Sequence, residues 1–126
     1  MRALIYVISA ILLSHTAAAA TYTAPSGYLQ IVGYRLIPAR PGTGTVGVAG
    51  RVEALADCRG ALLTFDVLDR SGGRVGTYRV SHGPFFRHDV WEIGAGVFTP
   101  EAGDAAKAAA AADHVAVREA DCTRGH

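Results

Sequence analysis

The side chains able to do chemistry are few in this 126-residue chain. Past residue 20 the histidines are His82, His88, His114 and His126. A zinc site needs three or four ligands around one point. His82 and His88 flank Gly83-Pro84-Phe85-Phe86-Arg87, and Asp89 adjoins His88. A strand-loop-strand unit there would bring the two imidazoles to one mouth. No spacing matches a metal motif, so both are expected to be solvated loop-end histidines. A small metal-binding protein or enzyme using His82, His88 and nearby acids such as Asp89 is the alternative.

Nucleophilic catalysis needs a nucleophile, a base and a group that orients the base. Ser81 and His82 are neighbours, which sends their side chains to opposite faces of a strand. No G-x-S-x-G elbow is present. Gly42-Thr43-Gly44-Thr45 lacks the lysine of a phosphate loop. These absences point to a chain that is not an enzyme and takes no cofactor. Two groups remain. Phe85 and Phe86 place adjacent aromatic rings in a loop, where large apolar residues either plug the core or mark a contact surface. One ring is expected to be buried and the other exposed. Cys58 and Cys122 are the only cysteines. They could form a redox pair or supply two thiolate ligands, but they are not C-x-x-C, and terminal His126 is the only histidine within four residues of either. In an oxidising compartment such a pair forms a structural disulfide.

The elements that must position these groups read as β-strands. Tyr28–Ile37 is β-branched, aromatic and apolar, and Pro38, Pro41, Gly42 and Gly44 end it. Thr45–Ala56 alternates Val46, Val48 and, after Gly50, Val52 and Ala54. Ala61–Leu68 sends Ala61, Leu63, Phe65 and Val67 to one face. Asp69–Gly73 supplies a hairpin turn, and Arg74–His82 returns. His88–Phe98 reads as a further strand and His114–Ala120 as the last. Between them, Thr99-Pro100-Glu101 and Asp104 are cap-like starts for a short alanine helix over Ala105–Ala112, a crossover between strands. Short strands, hairpins and one crossover predict an all-β antiparallel sandwich.

Phe65-Asp66-Val67-Leu68-Asp69 resembles the signature of the FxLYD domain, with Val67 in place of Leu and Leu68 in place of Tyr. Gly50-Arg51-Val52 is similar to the family's Gly-x-Val strand. Gly73 and Gly76 fit the glycines that follow its aspartate, and the strand to Phe98 matches its later aromatic strand. The likeness covers residues 45–120, and Cys58 and Cys122 are not part of the family pattern. The resemblance implies an immunoglobulin-like β-sandwich outside the cytoplasm of bacteria, with no established enzymatic activity.

The ends and the charge bound the setting. Arg2, the apolar stretch Ala3–Leu13 and the small residues Ala17–Ala20 follow the order of a secretory signal. The apolar stretch is about half the roughly 20 residues of a membrane span. The reading is therefore a signal peptide over 1–20, a flexible lead-in over 21–27 and one β-sandwich domain over 28–126. The product is extracytoplasmic, periplasmic or secreted, with no transmembrane segment after cleavage. Loss of Arg2 leaves 11 Lys and Arg against 11 Asp and Glu. Zero net charge argues against nucleic acid, which requires a basic face. A protein or envelope partner is expected. N-terminal sequencing of the exported product should begin at or within a few residues of Thr21; a full-length chain in the cytoplasm would contradict this.

Overall fold

Alternation builds the centre of the molecule. Along Gly60–Leu68 the side chains of Ala61, Leu63, Phe65 and Val67 are buried, whereas Leu62 is exposed. Period-two burial is what a strand with one covered face requires. The computed structural model describes residues 20–123. Their order is β1 (Ala20–Thr23), β2 (Leu29–Ile37), β3 (Gly47–Ala54), β4 (Gly60–Leu68), β5 (Arg74–His82), β6 (Val90–Glu92), β7 (Val97–Pro100), α1 (Ala105–Ala111) and β8 (His114–Thr123). Two antiparallel four-stranded sheets result, β1-β2-β3-β6 and β7-β5-β4-β8. The chain is an all-β sandwich with one short helix. Consecutive strands β3 and β4 lie in different sheets, and each pairs with a later strand, β6 or β8.

The core lies between the sheets. Leu29, Ile31, Val48 and Val52 face Leu63, Phe65, Val67, Tyr78 and Val80. The Tyr34 and Phe65 rings meet across the gap, 6.0 Å between centroids. The alanine helix carries the chain from β7, at one edge of its sheet, to β8 at the other. Asp104 caps it, accepting from the amides of Ala106 at 2.9 Å and Lys107 at 3.4 Å, and Ala109 is buried. Of the cap-like starts Asp104 is the cap, Thr99 and Pro100 belong to β7, and the crossover is as expected.

Three expectations need revision or qualification. Residues 21–27, expected as a flexible lead-in, contain the end of β1 and a tight turn. Thr21, Tyr22 and Thr23 are β-branched or aromatic and pair with Val32, Ile31 and Gln30. Gly27, at φ +79°, closes the turn by donating to the Ala24 carbonyl at 2.9 Å. The stretch 88–98 is not one strand. It divides into β6 in one sheet and β7 in the other, with Gly94-Ala95-Gly96 between. At Gly96 a Cβ would lie 2.5 Å from the Arg79 carbonyl oxygen and 2.7 Å from the Tyr78 ring, so only glycine lets the chain cross that close. The signal peptide, apart from Ala20, lies outside the described residues.

β8 is a ten-residue edge strand, and its register against β4 shifts where Glu119 faces Thr64 and Val117 faces Phe65. Arg118 is the extra residue of this bulge. Its guanidinium reaches Asp66 on β4 at 2.8 Å.

The β4–β5 hairpin is held by one carboxylate. Asp69 Oδ1 accepts from the Ser71 hydroxyl at 2.7 Å, the Gly73 amide at 2.8 Å and the Ser71 amide at 2.9 Å. These bonds, the Ser71 hydroxyl first and the Gly73 amide next, hold the Asp69 carboxyl below its ordinary value of 3.8. A depressed folded-state pKa stabilises fully above the unfolded value, and the effect is lost as pH falls through the folded one. Thermal unfolding followed from about pH 7 down to about pH 3 should therefore show a smaller acid loss in Asp69→Asn than in wild type. Equal acid sensitivity would remove Asp69 from the hairpin's stability.

Candidate contact site

The end of the sandwich opposite α1 gathers the turn 55–59, the connection 83–89 and the end of β8. A disulfide joins Cys58 to Cys122, with Cα atoms 5.5 Å apart, and so ties the turn to β8. The expected bridge is present. It closes a long loop, with a sequence separation of 64, and loops of this length gain about 4 kcal/mol from lost unfolded-state entropy.

Cys58 also holds the 83–89 connection. Its amide donates to the Phe85 carbonyl at 2.9 Å, and the Phe85 amide returns a bond to the Cys58 carbonyl at 3.0 Å. The Arg87 amide donates to Asp57 Oδ1 at 2.8 Å. The Phe86 amide donates to Asp89 Oδ2 at 2.7 Å, and the Asp89 amide donates back to the Phe86 carbonyl at 2.9 Å. His88, at φ +78°, donates its amide to the Ala54 carbonyl at 2.9 Å. Non-glycine residues adopt that backbone region at a cost. Here the surrounding bonds hold it.

The two phenylalanines divide as expected. Phe85 is 4% exposed and plugs the core, so it drops out of the contact surface. Its ring lies 5.6 Å from His82 edge-on and 6.1 Å from Trp91. Phe86 is 69% exposed. Leu55, which follows β3, and Val90, which opens β6, are also exposed apolar residues of this end.

The metal alternative finds no geometry here. Among the described residues no three His, Cys, Asp or Glu side chains converge on a point. The His82 ring is stacked on Trp91 at 4.0 Å and 13°, and its Nδ1 lies 2.9 Å from the Gly83 carbonyl. Asp89 is committed to the Phe86 amide. His82 is therefore not the solvated loop-end residue expected from sequence but a member of an aromatic cluster with Phe85 and Trp91. Trp91 shares one face of its strand with Ile93, a period-two pattern that signals its place in this cluster. Its buried Nε1 has no hydrogen-bond partner among the described residues. Ring packing, not hydrogen bonding, holds the cluster.

No family model, curated protein or solved structure matches the chain.

The division between the two rings is directly testable. Phe85→Ser removes a buried aromatic and should cost about 3–5 kcal/mol by chemical denaturation, whereas Phe86→Ser should change stability by no more than about 0.5 kcal/mol. Equal losses would show that Phe86 is packed.

Proposed function

We propose that this chain is a non-enzymatic extracytoplasmic module that recognises a protein or envelope partner through Phe86. One observation carries the reading. A large aromatic ring, 69% exposed, stands on a loop whose backbone is fixed on both sides of it. Exposed aromatic rings supply the dominant contacts of many interfaces. A loop already in its final shape loses little entropy on binding, so its contact area converts efficiently into affinity. Leu55 and Val90 extend the apolar character of this end.

The setting supports the same reading. A disulfide belongs to an oxidising compartment. No helix among the described residues is long and apolar enough to cross a membrane. The likeness to FxLYD domains, carried by Phe65, Val67 and Asp69, points the same way. Phe65 and Val67 are core residues and Asp69 a turn residue, so the signature serves the scaffold. Function on such a scaffold must be argued from a site outside that signature.

The test is capture from an envelope extract by the oxidised protein, wild type against Phe86→Ser. Losing a central aromatic contact costs about 2 kcal/mol or more, roughly a 30-fold loss of affinity. Partner capture should therefore vanish with the melting temperature unchanged. Capture that survives Phe86→Ser would overturn the reading.

A further inference from the structure

We infer that the Cys58–Cys122 disulfide is a redox clamp on the Phe86 loop: forming it sets the loop for binding, and opening it frees the loop while both sheets stay assembled. This rests on the reading of Phe86 as the contact residue and adds how that contact is controlled.

The clamp follows from what each bonded partner depends on. β8 has nine residue pairs with β4, and it buries Val115 and Ala120 in the core. It does not need the disulfide to stay in place. The 55–59 turn is held far more sparsely. Besides the disulfide, its backbone ties to the sheets are Leu55 to the Tyr28 carbonyl, at 2.9 Å, and Arg59 to the Thr123 carbonyl, at 2.6 Å. Yet this turn supplies the two backbone bonds to Phe85 and the Asp57 bond to Arg87. The Cys58–Phe85 pair is an isolated bridge with no ladder beside it to share the load. Freeing Cys58 therefore loosens the backbone of 83–87, whereas the buried Phe85 ring and the Ala54 bonds to His88 and Asp89 keep the loop attached to the sandwich.

The chemistry is ordinary thiol–disulfide exchange with a dithiol reductant. Cys58 is 4% exposed and Cys122 only partly buried, so the outer sulfur is the one open to attack. A reductant thiolate bonds to Cys122 Sγ, the S–S bond breaks, and its electron pair leaves on Cys58 Sγ, which takes a proton from water. The second reductant thiol displaces Cys122 from the mixed disulfide. The reductant ends as a disulfide, having passed two electrons and two protons to the cysteine pair. The reverse exchange, in which a disulfide oxidant takes two electrons and two protons from the cysteine pair, gives the biological sense. Before export, in a reducing compartment, the contact loop is unset, and it is completed only where disulfides persist.

Amide hydrogen exchange by mass spectrometry tests the clamp on the mature chain, comparing oxidised protein with dithiothreitol-reduced protein and with the Cys58→Ala/Cys122→Ala double variant. Both disulfide-free forms should lose more protection over 83–87 than the uniform loss that the missing loop closure imposes on 61–67. Unchanged exchange over 83–87 would overturn the clamp. So would equal loss of protection in both segments, which would make the disulfide a staple for the whole fold. The oxidised protein's capture through Phe86 is measured separately. Failure of capture sinks the contact reading and leaves the exchange result standing, and the converse also holds.

Discussion

Cys58 is bonded in two directions at once. Its sulfur is joined to β8, and its backbone is paired with Phe85. One side chain thus connects the edge of one sheet to the connection that enters the other at β6. The ring behind Phe85 belongs to a cluster with His82 and Trp91, from β5 and β6. The exposed ring of Phe86 gains its fixed position from this arrangement, since the residue before it is anchored in the core and the residue after it is bonded to Asp57.

The two ends of the sandwich are built by different physics. At one, an alanine helix with an aspartate cap covers the core opening, and the covering needs only small side chains and backbone bonds. At the other, aromatic packing and a covalent bond hold irregular chain. The first kind of closure is chemically plain and displays no aromatic ring, although Ile37 at the end of β2 is exposed there. The second presents an apolar residue to solvent that the core does not require. An apolar ring left outside a well-filled core is the more informative feature of the pair.

Much of the scaffold could be read from residue order. Ala61, Leu63, Phe65 and Val67 alternate cleanly, and all four are buried. Asp69 with Ser71 and Gly73 spells the hairpin, and Asp104 before the alanines spells the helix start. The misreadings occur where local pattern is overridden at a distance. Trp91 and Ile93 continue a period of two, but the approach of Gly96 to Arg79 and Tyr78 is a tertiary fact that alternation does not encode. Thr21-Tyr22-Thr23 is too short to announce a strand until β2 is there to pair with it. The assignment of Phe85 to the core and Phe86 to solvent depends on the Cys58 bridge, and adjacent identical residues carry no signal for that choice.

The extra residue Arg118 bears on how the molecule keeps to itself. Ten residues of flat edge would offer a ready template for another extended chain. A bulge bends and twists such an edge, and charged side chains make its approach costly. Arg118 supplies both, since its own position breaks the register and its guanidinium is drawn back over the sheet to Asp66. Deleting that single residue would straighten β8 and leave Asp66 without its nearest cation. The shortened chain would keep its inward-facing side chains, yet expose an unbroken row of backbone donors and acceptors. It would trade solubility at high concentration for a more regular sheet.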